Sequence, residues 1–281
     1  MIKVVNSFSF EKEKICNSSA PMLFTCETDV GYEPYFVKYI MQPNEFDCLV
    51  YEIICTNLAN HFGVTTPEIA LVNIIEDSFD ASLLKKNTQY FKAGVTAFGS
   101  LNVSQEHIML NKQETIVDKT AFNLYKNPID FVKIAFFDLH VDNRDRNEEN
   151  FNIIITKTRP TELFAIDHFD CFSSRGKVGT FSSSIPFNIN ETIIRSPICV
   201  KAIEFLEFDL IKQTLDEYLY LCNPELLCGI VDEVFACLPQ DWNLTKNLNN
   251  RIKSFICDSN RLDDIYQQLL QTVQRFKSKT K

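Results

Sequence analysis

The sequence predicts an α+β fold: a β-rich N-terminal part built around one helix, then a mainly helical C-terminal part. Three observations predict it. Short apolar and aromatic runs bounded by turn residues crowd the first hundred residues. One stretch there, residues 49–62, instead repeats its apolar positions at helical spacing, and beyond residue 197 helical periodicity takes over. The two parts divide at residue 97, giving units 1–97 and 98–281.

Taken in order, residues 22–27 and 35–40 read as strands, and Thr28-Asp29-Val30-Gly31 between them carries the turn chemistry of a hairpin. Pro43-Asn44-Glu45 marks a helix start with Asn44 as its cap. Leu49, Ile53, Ile54, Leu58 and Phe62 then define one helical face, and Gly63 is the natural stop. Pro67 leads into a further strand over 69–75. Asn127-Pro128 opens a helix carrying Phe131, Val132, Ile134, Ala135 and Leu139. A polar loop over 140–150 follows, then two short apolar strands at 151–156 and 163–166. Amphipathic helices over about 198–208, 209–221, 224–236, 247–257 and 261–276 complete the chain.

Composition narrows the function. Hydrophobic residues make up 45% and charged residues 23%, which is ordinary for a globular chain with a real core. The net charge of −9 comes without any Lys/Arg run except Arg275, Lys277, Lys279 and Lys281, which read as a solvated tail, so no direct nucleic-acid contact is expected. Ten cysteines are scattered with no CxxC pair, and the four histidines add no zinc-ligand spacing. Reduced thiols in the core are the expectation. Residues 1–7 carry no signal-type apolar run and no stretch is long enough to span a bilayer, so a cytoplasmic location without membrane contact is expected.

The chemistry concentrates in residues 137–152, where Asp145 and Asn150 stand in a D-x4-N arrangement just before a strand. Asp167 ends the next strand, in Ile166-Asp167-His168. Phosphoryl transfer needs a carboxylate to orient the attacking hydroxyl and take its proton, and hard oxygen ligands for magnesium on the ATP phosphates. Asp145 fits the first demand; Asn150 and Asp167 fit the second. A strand hairpin between them returns Asp167 to the side of Asn150. Upstream, Lys38 is the one lysine of the apolar strand 35–39, and Glu52 lies in the following helix. Singly these would be an ordinary strand lysine and an ordinary polar-face glutamate. In the order Lys38, Glu52, Asp145, Asn150, Asp167 they reproduce the layout of a two-lobed protein kinase, with a strand lysine on the ATP phosphates held by a helix glutamate.

Residues 138–152 resemble the signature of the HipA-like kinases, and Ile166-Asp167-His168 resembles that family's counterpart of the metal-binding DFG. The helix running into Leu58-Ala59 and through Gly63 to Pro67 is similar to the family's L-A-x-x-x-G-x-x-x-P, and Phe98-Gly99-Ser100 matches a short family motif. Leu238-Pro239-Gln240-Asp241-Trp242 resembles its LP-x-x-W faintly. The resemblance implies an ATP- and Mg2+-dependent Ser/Thr protein kinase, toxin-like or regulatory, with a protein substrate and a companion antitoxin-like protein. It implies Asp145 as catalytic base, Lys38 and Glu52 for ATP binding, and Asn150 and Asp167 as metal ligands. Arg146 either steadies the catalytic loop or is a surface arginine; His140 receives no chemical role and His168 a structural one. No GxGxxG loop exists, and its place reads Asn17-Ser18-Ser19-Ala20-Pro21. Ser18 and Ser19 either bring their amides to the ATP phosphates or form a polar turn. HipA-type kinases also lack the glycine loop and can phosphorylate a serine within it, which makes Ser18 and Ser19 candidate autophosphorylation sites. The rival readings are a lipid or small-molecule kinase of the phosphatidylinositol-kinase-like class and an inactive pseudokinase scaffold.

Overall fold

Strand β1 (Lys3–Glu13) opens the chain and pairs on one side with β2 (Met22–Thr28) and on the other, in parallel, with β4 (Ile69–Asn73). Strand β3 (Gly31–Lys38) forms the expected hairpin with β2, and β5 (Thr96–Leu101) inserts between β3 and β4. The five strands close into a barrel in the order β1-β2-β3-β5-β4. The computed structural model describes residues 2–14, 20–111, 114–172, 182–184 and 186–279. Ser18 and Ser19 lie outside the described residues.

Two barrel strands escaped the sequence reading. β1 alternates Val5 and Ser7 inward against the exposed Val4 and Phe8, but two register shifts against β2 break the alternation that would have revealed it. β5 is short and carries Gly99, a poor strand former. The glycine is required there: a Cβ at Gly99 would lie 2.5 Å from Val72 Cγ2 across the sheet. β5 spans the expected division at residue 97.

Helix α1 (Phe46–His61) is buried almost all round, because it lies between the barrel and the helical part, touching both β5 and α6 (Pro224–Cys237). Its start differs from expectation. The cap is Glu45, not Asn44, and the Glu45 carboxylate folds back to accept the amides of Met41 and Gln42. Its end matches: Gly63 sits at φ +67°, its amide donates to Asn60 O and that of Val64 to Ala59 O, the two bonds of a Schellman cap.

A short helix α2 (Lys119–Phe122) precedes α3 (Asp130–Val141), whose side chains from Phe131 onward are mostly buried. Around α3 pack α4 (Pro197–Phe205), α5 (Phe208–Leu221), α7 (Leu248–Ile256) and α8 (Ser259–Ser278). Strands β6 (His107–Met109), β7 (Ile153–Thr156) and β8 (Leu163–Ala165) form a second antiparallel sheet. The architecture is a mixed α+β fold with a β-rich N-terminal part. No helix among the described residues is long and apolar enough to cross a membrane.

Two further expectations need correcting. The basic end of α8 is not merely solvated, since the Lys277 ammonium donates to the carbonyls of Glu204 and Leu206 at the end of α4. The cysteines are not all core thiols: Cys222, Cys228, Cys237 and Cys257 are only half-buried.

Candidate active site

The end of β3, the middle of α1 and the turn after β8 converge on one ion cluster. Lys38 Nζ lies 2.5 Å from Glu52 Oε1 and 2.9 Å from Asp167 Oδ1. Glu52 Oε2 accepts the amide of His168 at 2.8 Å, so the same carboxylate ties α1 to the backbone beside Asp167. Asp167 adopts a left-handed backbone at φ +63°, an uncommon conformation for a non-glycine residue and one that marks functional turns.

Burial and charge oppose each other here. Burial disfavours the charge on Lys38, but the carboxylates of Asp167 and Glu52 outweigh it and hold the ammonium above its ordinary range. Burial likewise pushes Asp167 up, yet Lys38 more than compensates and its carboxyl is lowered. Glu52 is the most deeply buried of the three, and there burial wins over Lys38 and raises it.

The loop between α3 and β7 carries Asp145. It starts where Asp142 ends α3 in the left-handed region, at φ +51°. Asn147 shapes its turn: Oδ1 accepts the amides of Glu149 and Asn150, while Nδ2 donates to Arg144 O. Asp145 Oδ2 accepts from Asn150 Nδ2 at 2.9 Å and from Asn152 Nδ2 at 2.7 Å. Sequence alone assigns Asn152 no role, although it closes the signature over residues 138–152; its place two residues after Asn150 is the signal that marks it.

Arg146 joins the two halves of the site from beneath. It is fully buried, which removes the surface alternative. Its guanidinium pairs with Asp138 and donates to Ile166 O at 2.7 Å and Asn152 O at 3.4 Å. The same Nη2 that donates to Ile166 O also faces His168 Nε2 at 3.3 Å. Because arginine only donates, His168 accepts there as a neutral imidazole, and burial followed by the Arg146 charge lowers its pKa well below the ordinary value. His140 is equally buried and neutral, between Tyr218 Oη and Ile256 O.

Above these residues opens a cleft of ≈ 410 Å³. Lys38, Asp145, Asn150 and Asp167 line its polar end; Phe36, Phe98, Leu101, Met109 and Ile154 are among its apolar walls. The cleft therefore offers an apolar slot leading to a cation and a group of oxygen donors, which is what a phosphorylated, aromatic ligand requires. The structure brings together Lys38, Glu52, Asp145, Asn150 and Asp167; Ser18 and Ser19 fall outside the described residues.

Residues 14–274 match the model of the HipA-like kinases, and the chain belongs to that family. It is a kinase-type phosphotransferase. No curated protein matches the chain. Among solved structures it is similar to that of a Helicobacter pylori proinflammatory kinase, CtkA, with 13% identity, a TM-score of 0.47 and 100% of each chain covered.

Proposed function

We propose that the chain is an ATP- and magnesium-dependent Ser/Thr protein kinase, with the cleft lying between an N-terminal lobe, which β5 carries past the expected division at residue 97 to residue 101, and a C-terminal lobe over the remainder to residue 281. The observation that carries this reading is the Lys38 ammonium held between Glu52 and Asp167 at the polar end of the cleft. A cation fixed there by two carboxylates is preorganised for ATP phosphates, with no reorganisation left for the moment of binding.

Asp145 is the catalytic base. Two amide donors converge on its Oδ2, which fixes the carboxylate plane and leaves Oδ1 to receive the acceptor's proton. The metal donor set fits magnesium, which takes few protein ligands, all oxygen, and completes its shell with phosphate and water. Asn150 uses its Nδ2 on Asp145, and among the described residues no group donates to its Oδ1. Asp167 is held ionised by Lys38. Asn150 Oδ1 and Asp167 would hold the metal, which supplies charge neutralisation on the phosphates when bound. At the other end, Leu101, Asn102 and Val103 line the slot for the base. The Leu101 and Asn102 amides donate to Glu68 O and Pro34 O, whereas the Val103 amide meets no acceptor among the described residues.

The same reading assigns Ser18 or Ser19 as an autophosphorylation site and gives the enzyme a cytoplasmic, regulatory or toxin-like role beside a companion protein. The test is transfer of γ-labelled phosphate with and without magnesium, comparing the native chain with Asp145→Ala and Asp167→Asn. Label should appear as phosphoserine or phosphothreonine and vanish in both variants. Label found in lipid or small-molecule fractions would transfer the proposal to those acceptors, and no nucleotide binding with any divalent metal would end it.

A further inference from the structure

Outside the cleft lining, three half-buried thiols lie where three helices end or begin. Cys222 caps α5, Cys228 lies early in α6 and Cys257 caps α7. Cys228 Sγ and Cys257 Sγ stand 3.9 Å apart, 29 residues apart in sequence. A disulfide requires about 2.05 Å between sulfurs. The remaining gap of roughly 2 Å is one for side-chain rotation to close, since Cys228 on α6 and Cys257 at the end of α7 belong to two helices packed on each other. Among the described residues the other hydrogen-bonded thiol pair, Cys55 with Cys171, is completely buried and closed to a reagent.

We propose that Cys228 and Cys257 are a redox-modification site, oxidised by hydroperoxides to an intramolecular disulfide. Cys228 is the attacking thiol, since Cys257 Sγ is engaged with Pro224 O. Its sulfur takes the terminal hydroxyl of the peroxide, the O–O bond breaks, and the thiol proton leaves on the departing alcohol. Cys257 Sγ then attacks the sulfenic sulfur, the S–O bond breaks, and the second thiol proton leaves with the hydroxyl as water. Two electrons pass from the thiols to the peroxide.

The bond has a structural consequence. It closes α6, α7 and residues 238–247 between them into one covalent loop. That intervening strap grips the start of α1: the Trp242 ring stacks on Phe46 at 5.8 Å, its Nε1 donates to Thr96 O, and the Thr245 amide donates to Asp47 Oδ1. Oxidation therefore restrains the α6–α7 pair that carries this strap, whatever substrate the enzyme takes.

The test treats the reduced full-length chain with cumene hydroperoxide, blocks free thiols with N-ethylmaleimide and maps disulfides by non-reducing digestion and mass spectrometry. The expected product is a Cys228–Cys257 linked peptide, lost in Cys228→Ser and Cys257→Ser and retained in Cys222→Ser. Cys257→Ser should instead show a dimedone-trapped sulfenic acid at Cys228, and hydrogen exchange over 239–247 should slow at least several-fold in the oxidised native chain. Full alkylation of both thiols after tenfold excess peroxide, or a dominant link through Cys222, would overturn the proposal. Dimedone on Cys257 in Cys228→Ser would overturn the assigned order of attack.

Discussion

Asn152 Nδ2 donates to the same oxygen of Asp145 that Asn150 Nδ2 reaches, at 2.7 Å against 2.9 Å. Two donors on one oxygen leave the other as the basic face of the carboxylate, so on the proposed reading, with Asp145 as the base, Asn152 is a positioning residue. A hydrogen bond to a charged group contributes about 1.5–3 kcal/mol, which is roughly 10- to 100-fold in rate. Asn152→Gly accepts the native φ of +44° without strain. It should lower kcat by about that factor with KM for ATP almost unchanged, as steady-state kinetics would show. An equal loss in KM would place Asn152 on the nucleotide instead.

The Lys38–Glu52 pair separates folding from chemistry. Lys38→Met leaves Glu52 buried without its cation, and breaking such a pair costs about 3–5 kcal/mol. Denaturant unfolding should show a loss of that order, relieved in large part by adding Glu52→Gln, which carries no charge to strand. Phosphate transfer should stay absent in both variants. If the double variant is no more stable than the single one, Glu52 is held by the His168 amide rather than by Lys38.

Arg146 gives a third prediction. It binds Asp138, the Ile166 carbonyl and the Asn152 carbonyl at once with neither it nor Asp138 exposed to water. Lysine presents a single point charge and cannot reproduce that fork. Arg146→Lys should therefore destabilise the chain by about 2–4 kcal/mol in thermal or denaturant unfolding, somewhat less than the roughly 3–5 kcal/mol of a buried ion pair broken outright, because lysine keeps the charge. A surface arginine, the alternative that sequence left open, would give less than about 0.5 kcal/mol.

Arg146 also shows where sequence reading stops. Lys38, Glu52, Asp145, Asn150 and Asp167 stand out in the sequence because phosphoryl transfer demands such groups in that order, and the fold brings the five to one cleft. That Arg146 is buried was not legible, since nothing in a polar loop announces that its arginine turns inward. Helix α1 and its Gly63 stop followed from periodicity and a left-handed cap. β1 did not, because its register shifts erase the two-residue alternation, and β5 did not, because its glycine answers to a neighbour, Val72, far away in sequence. The cap of α1 was misplaced by one residue for a similar reason: Glu45 bonds backward to Met41 and Gln42, a contact set by the path of the preceding turn.

His140 contributes to the acid sensitivity of the fold. Its Nε2 donates to Ile256 O at 2.8 Å and its Nδ1 faces Tyr218 Oη at 3.1 Å, so the neutral ring is fully partnered. Burial, opposed by the Ile256 carbonyl and aided by the Arg261 charge, lowers its pKa to about 4 from the ordinary 6.5. Between those values the unfolded chain binds a proton that the folded chain refuses. Stability from this group is thus complete above pH 6.5 and is lost as pH falls toward 4, by on the order of 3 kcal/mol. His168, also lowered, adds loss in the same direction, while Asp138, raised to about 7 by burial against Arg146, works the other way. His140→Gln keeps a donor and an acceptor but does not titrate. Unfolding free energies measured from pH 7 to pH 4 should fall less steeply for His140→Gln than for the native chain, even if the variant starts less stable. Parallel slopes for the two proteins would mean that the His140 ring is already charged in the fold, with Tyr218 Oη accepting the second proton's hydrogen bond.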